Sequence, residues 1–257
     1  MKNLIKAQLY QLKRNKFILI SLAGALFMQI VQILGEVFAD KSSFCVFWIA
    51  NSTFMLSIAA ASAVISAVLC VGGDFHDKTS NYEILNGYTR FEIYASKNIC
   101  GLAVGTIVYL IDIVLMCSAG VLILGFGTEI SVTEVVLRLV LSVFVTIRLI
   151  CVFILFTFVV KIFWLSMAVA SLYLLMAAEM AEMFDTKSYL LGITVFARLS
   201  EFVSWMTYTI GNKIEYILVY GRTIQAGESA AIILSSLGIG ALALFIGFFF
   251  FKTEDID

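Results

Sequence analysis

The residues with chemistry to offer are few, and they sit where ions are costly. Asp112, Arg138, Arg148, Glu179 and Glu182 all fall inside long apolar runs, and Gln29, Gln32 and Glu36 recur at i, i+3 and i+7 in another. An ionised side chain in hydrocarbon must be paired or face water, so each of these groups constrains the fold as well as equipping it. Asp112 lies 15 residues past Lys97, and Arg148 lies 13 residues before Lys161. At about 1.5 Å per helical residue both are roughly 20 Å from one boundary, which predicts an Asp112–Arg148 pair between sequential antiparallel helices. Glu179 and Glu182 share a helical face and by the same count approach the depth of Arg138, so Arg138 with Glu182 is a second expected pair. Two roles are open to these groups: the polar lining of a translocation path or gate, or ion pairs that fix helix packing. The series Gln29, Gln32, Glu36 predicts a polar stripe that is buried or turned toward another subunit.

Enzymatic chemistry has little to work with. The single histidine, His76, lies in a polar segment, and a zinc site needs three or four ligands. Gly238-Ile-Gly240 lacks the preceding strand of a dinucleotide site, and no G-x-x-x-x-G-K-[ST] phosphate loop occurs. Cys45, Cys70, Cys100, Cys117 and Cys151 are scattered singly in or beside apolar runs and form no disulfide framework. The sequence therefore predicts no catalytic residue, no metal site and no cofactor in this chain. A net charge of −1 without a basic, aromatic-laced stripe gives no reason to expect nucleic acid as a partner.

The elements that must hold these residues are membrane helices. The chain of 257 residues is 61% hydrophobic and only 14% charged, with a mean hydropathy of +1.02 and no proline. A soluble domain carries about 25% charge, and uninterrupted apolar stretches beyond about 18 residues mark transmembrane helices. We expect an all-α integral membrane protein, a single domain over 1–257. Six spans are predicted, at about Phe17–Phe38, Phe44–Gly72, Asn98–Phe126, Val132–Val160, Ile162–Met183 and Ala230–Phe251. Ahead of them, residues 1–16 alternate basic positions with Leu4, Ile5, Leu9 and Leu12, the pattern of an amphipathic helix lying in the interface. Lys and Arg favour the cytoplasmic side. Lys2, Lys6, Lys13, Arg14 and Lys16 then put the N-terminus inside, and with six spans the C-terminus follows. Residues 185–228 form a long outer loop with apolar stretches and the anchors Trp205 and Tyr208, read as outer re-entrant helices before the last span. Gly101 and Gly105, and Ser236 and Gly240, offer small-residue spacings for close helix contact.

One polar block interrupts the hydrocarbon, residues 74–97, placed on the cytoplasmic side between spans two and three. Thr79 or Ser80 can cap a short helix near Asn81, with Glu83 in its first turn and Tyr82, Ile84 and Leu85 on an apolar side. Gly87 can end it. A helix then restarts at Arg90 and runs into the third span, with Glu92 and Ser96 expected to face water.

Asp74, Thr79, Asn81, Gly87, Arg90 and Lys97 form a D-x4-T-x-N-x5-G-x2-R-x6-K arrangement, and the end of the chain reads F-x-x-x-D-I from Phe251 to Ile256. With the basic N-terminus, six spans and the long loop before the last, this arrangement resembles the ABC-2-type transporter permeases. The outer loop departs from many of them in lacking proline. The resemblance implies a bacterial plasma-membrane permease that pairs with a second permease protomer, as a homodimer or heterodimer. It also implies docking of a separate ABC ATPase subunit, which carries the ATP and Mg. The docking element would be a coupling helix matched here by Asn81, Tyr82, Glu83, Ile84, Leu85, Gly87 and Arg90. The substrate class implied is an antimicrobial peptide, a drug or another amphipathic molecule. A stand-alone ion-coupled transporter or channel, using Asp112, Arg148, Glu179 and Glu182 as a relay, is the alternative, and a membrane scaffold is a third.

Overall fold

The computed structural model describes residues 2–14, 16–38, 53–76, 83–124, 132–160, 164–166, 168–169, 172, 203–210, 213–220 and 224–252. Helix α1 covers Lys2–Arg14, α2 Lys16–Phe38, α3 Thr53–His76, α4 Arg90–Leu124, α5 Val132–Val160 and α6 Ala226–Lys252. Among the described residues, four helices are long and apolar enough to cross a membrane: Met55–Gly73 of α3, Arg90–Leu122 of α4, Val136–Val160 of α5 and Ala226–Lys252, which is α6. The chain is therefore a helical membrane protein. Helix α2 carries a shorter apolar stretch, Lys16–Val31. The expected fifth span, Ile162–Met183, lies largely outside the described residues, as do Glu179, Glu182, Asn81 and Tyr82 and the side chains of Gln32 and Glu36.

Helix α3 is the centre of the bundle. Fully 83% of its membrane window is buried, against 28% for α6. Its composition explains this: Ala59, Ala60, Ala63, Ala67, Ser62 and Ser66 are all buried, and such small side chains let helices approach closely from several sides. Helices α2, α4 and α5 pack around it, and α6 packs along α5. The glycine pair of α4 makes the tightest contact. A Cβ on Gly105 would meet Ile150 at 2.8 Å, the Ala63 carbonyl oxygen at 3.0 Å and the Ala67 Cβ at 3.2 Å. A Cβ on Gly101 would meet Val71 at 2.9 Å and Ile154 at 3.1 Å. The buried edge of α6 is likewise built on small residues, Ser236, Gly240, Ala243 and Gly247, between Ile232 and Phe251.

The contacts also set directions. Gly101 faces Ile154 and Gly105 faces Ile150, so α4 and α5 run antiparallel. Gly240 faces Cys151, Gly247 faces Leu155, and Phe251 stacks on Phe158, so α5 and α6 run parallel. Val160 and Ala226 therefore lie at opposite ends of the bundle.

Two expectations about the flanking elements are corrected. First, α1 buries Leu4 and Gln8 against the body and packs on α4, while Leu9 and Tyr10 are exposed. Its buried face is therefore turned from the Leu4, Ile5, Leu9, Leu12 face, because a neighbouring helix and not lipid alone covers it. Second, part of the segment read as outer re-entrant helices is an antiparallel hairpin, β1 Val203–Ile210 with β2 Lys213–Tyr220, in register from Val203↔Tyr220 to Ile210↔Lys213. Its β-branched and aromatic residues favour strands, and the sequence Gly211-Asn212 between them is a two-residue hairpin signal. The polar segment 74–97 is entered from α3, which stays helical to His76, and α4 starts at Arg90 as expected.

The α3–α4 seam yields a test. Gly105→Ala should destabilise the detergent-solubilised chain by about 1–3 kcal/mol, the usual cost of overpacking. Gly24→Ala, at a position with nothing within 4 Å, should not. Equal thermal midpoints for the two variants would contradict the packing described.

Candidate functional site

The short turn before α4 is built from two capping motifs back to back. Glu83 to Leu85 are helical, and Gly87 closes that helix at φ +87°. The Gly87 N–H donates to the Ile84 carbonyl at 2.9 Å and the Tyr88 N–H to the Glu83 carbonyl at 3.3 Å. This is a Schellman arrangement, which uses glycine because a side chain strains the left-handed backbone. Two residues on, Thr89 caps α4. The Glu92 N–H donates to Thr89 Oγ1 at 3.3 Å, while the Thr89 N–H donates back to Glu92 Oε2 at 3.1 Å and the Thr89 hydroxyl to the same oxygen at 3.0 Å. Reciprocal bonding of this kind satisfies helix-start donors that have no partner within the helix.

Arg90 ties this corner to the last helix. Its Nη1 donates to the carbonyls of Lys252 at 3.0 Å and Phe251 at 3.4 Å, at the C-terminus of α6. A cation there serves carbonyls with no helical partner and opposes the negative end of the helix dipole. One turn further, the Tyr94 hydroxyl donates to the Leu244 carbonyl at 2.6 Å. The Tyr94 ring packs on Phe158 of α5 at 4.8 Å and on Phe248 and Phe251 of α6 at 5.5 and 5.8 Å. Gly247 makes room for it, since a Cβ there would stand 2.6 Å from the hydroxyl. The start of α4 is thus locked to the ends of α5 and α6.

The tip of the turn faces outward. Leu85 is 82% exposed and Phe91 61% exposed, while Ile84 packs against the core. Ile84 and Leu85 therefore do not share an apolar side. Ser96 is buried and donates to the Ile93 carbonyl at 2.9 Å, so it does not face water as expected. Lys97 and Asn98 are buried as well, because this part of α4 is already flanked by α5 and α6.

Deep in the bundle, the structure brings Gln29 of α2, Ser62 of α3 and Asp112 of α4 together. Asp112 is fully buried and Gln29 is 1% exposed. Asp112 Oδ2 accepts from Ser62 Oγ at 3.3 Å and from Gln29 Nε2 at 3.5 Å. That amide nitrogen also reaches the Met55 carbonyl at 3.5 Å, and Ser62 also donates to the Ala59 carbonyl at 2.9 Å. The expected Asp112–Arg148 pair is not formed. The α4–α5 register, with Gly101 beside Ile154 and Gly105 beside Ile150, offsets Asp112 from Arg148 by about five residues, roughly 7 Å, and helical phase turns it to another neighbour. Asp112 lies seven residues past Gly105, nearly in line with the glycine edge that meets α3. Arg148 and Arg138 are buried on α5. The Arg138–Glu182 pairing lies outside the described residues.

Residues not anticipated from sequence are Ser62, Thr89, Tyr94 and Tyr109. Tyr109 is fully buried, with its hydroxyl beside those of Ser142 and Thr146 of α5. The T-x-x-E spacing of Thr89 and Glu92 is a legible start signal, and Ser62 is visible only as one hydroxyl in an alanine-rich helix. No protein-family model matches the chain, and a search of curated proteins found no similar sequence.

The corner can be tested directly. Tyr94→Phe should cost about 1 kcal/mol, one net hydrogen bond. Arg90→Ala should speed amide hydrogen exchange near the C-terminus of α6, where backbone carbonyls lose their donor. Unchanged exchange over residues 244–252 would show that Arg90 does not hold that terminus.

Proposed function

We propose that this chain is the membrane subunit of an ABC-2-type exporter in the bacterial plasma membrane. It would move an antimicrobial peptide, drug or other amphipathic substrate with ATP hydrolysed on a separate subunit. The observation that carries the reading is the rigid corner at Glu83–Tyr94. A partner gripping the exposed Leu85 tip would push on a turn closed at both ends by capping bonds and fastened through Arg90 and Tyr94 to α6. Displacement at the tip would then reach two membrane helices at once. The sequence resemblance independently assigns ATPase docking to this segment.

The six-span reading gains support from the parallel run of α5 and α6. The chain leaves α5 at one end of the bundle and starts α6 at the other, and one further crossing within residues 161–225 meets that requirement. The basic residues Lys16, Arg90 and Lys252 gather at the end where α2 and α4 begin and α6 finishes, which agrees with a cytoplasmic assignment for that end.

A second reading is a self-sufficient ion-coupled transporter, favoured by the carboxylate buried at Asp112. Flux by the chain alone in liposomes, driven by an ion gradient, distinguishes it.

The exporter reading makes a quantitative prediction. Affinity purification from native membranes should recover a phosphate-loop ATPase. Leu85→Asp, at an interface anchor, should weaken that association by about 2 kcal/mol, roughly 30-fold. It should leave the thermal midpoint of the chain unchanged. Full retention of the ATPase by Leu85→Asp would refute docking at this tip.

A further inference from the structure

The polar groups around Asp112 do not balance. Gln29 supplies two amide hydrogens and Ser62 one hydroxyl hydrogen, and these already serve the Met55 and Ala59 carbonyls as well as Asp112 Oδ2. Asp112 Oδ1 and Gln29 Oε1 are both buried, and among the described residues both lack a hydrogen-bond partner. The bonds that do reach Oδ2 are long, at 3.3 and 3.5 Å. A site rich in acceptors and poor in hydrogens, sealed from water, is short of one positive charge.

No charged side chain supplies it among the described residues. From α2 the site receives Gln29, and from α3 Ser62, with Ser66 one turn away on the same helix. On α4 the nearest titratable group is Tyr109, one turn from Asp112. Helix α5 brings Arg138 and Arg148 into the bundle, but neither bonds to Asp112, whose polar partners are Gln29 and Ser62.

We propose that Asp112 is a proton-binding site: at neutral pH its carboxyl group holds one proton inside the bundle, enclosed by Gln29 of α2 and Ser62 of α3. The proton cancels the buried charge and adds the missing hydrogen. An alkali cation fits less well. The Gln29 nitrogen lies between two acceptors, the Met55 carbonyl and Asp112 Oδ2, so the amide turns its donor and not its oxygen toward the carboxylate. Ser62 likewise points its hydrogen at acceptors. Metal cations require oxygens directed at them. Among the described residues, α2 packs on α3 and α4 and sets Phe17 edge-on to Trp164, and its described buried side chains are a single stripe of Ala25, Gln29 and Ile33. Withdrawal of that stripe is the route by which the proton exchanges with water. The proposal does not depend on an ATPase partner.

The full chain, reconstituted in lipid vesicles without any partner, is the material for the test. Its infrared spectrum at neutral pH should contain the carbonyl stretch of a protonated carboxyl group. Asp112→Asn should abolish that band and leave the thermal midpoint unchanged, and Asp112→Glu should shift its frequency. If Asp112→Asn does not fold, the wild-type band and its shift in Asp112→Glu still decide the matter. Sodium chloride and choline chloride should give equal midpoints. A missing band at neutral pH overturns the proposal, as does a midpoint that rises with sodium alone, which would mark a metal-cation site. Neither result bears on docking at Leu85.

Discussion

Inside a bilayer, burying apolar side chains against one another gains little, because lipid tails already surround them. Close contact must then do what hydrophobic exclusion does in water. Here that contact is the seam where Gly101 and Gly105 of α4 meet Ala63, Ala67 and Val71 of α3. Dispersion falls steeply with separation, so this approach is worth having only if no side chain intervenes. The seam also fixes the rotation of α4. With the glycine edge held against α3, Asp112 is carried toward Ser62 and Gln29, and Tyr94 toward α5 and α6. A different rotation of this one helix would dismantle both the Asp112 cluster and the Tyr94 corner.

Helix α4 works as a single beam. Its 35 residues extend about 50 Å, longer than the hydrocarbon core, so part of it must project beyond. The projecting end is where the chain is most carefully capped: a Schellman turn at Gly87, a reciprocal box at Thr89 and Glu92, and Arg90 on the last carbonyls of α6. These bonds leave few free torsions between Glu83 and Tyr94. A helix end exposed to water commonly frays, and this one is held through the backbone N–H groups of Thr89, Glu92 and Ile93. The proposed lever rests on that stiffness.

Much of this was legible in the chain. Helix boundaries followed from hydropathy and from the absence of proline, and Val132–Val160 is identical in sequence reading and structure. Gly87 declared itself, since glycine after a short apolar turn is the usual helix stop, and the Gly101–Gly105 spacing announced a close contact. Pairing was not legible from depth alone. Residue counts from two assumed boundaries fix neither register nor azimuth, and the observed contacts of Gly101 and Gly105 set Asp112 about five residues along the bundle from Arg148, facing a different neighbour. The information was present in another form: Asp112 falls in phase with the two glycines, and the helix rich in small residues is the natural partner for such an edge. The outer segment misled for a different reason. An apolar run with two aromatic anchors suits an interfacial helix, but alternation in Val203–Ile210 and Lys213–Tyr220 about Gly211-Asn212 carries the period of a strand.

The two polar features divide the bundle into parts of unequal firmness. Helices α4, α5 and α6 are bound at one end by aromatic rings, a tyrosine hydroxyl and an arginine, contacts with defined directions. Among the described residues, α2 is bound to its neighbours by a narrow stripe, one Phe17–Trp164 ring contact and hydrogen bonds of 3.3 to 3.5 Å. Any force applied at the Leu85 tip acts on the firm part, so relative motion would develop where the bonds are weakest, between α2 and the rest. That boundary is also where Asp112 lies. Opening it would admit water to the carboxyl group and give its proton a path out of the bundle. If both proposals hold, a push at one end of α4 and the protonation of a group some 22 residues along it would be linked through the same helix, with no contact needed between the two sites.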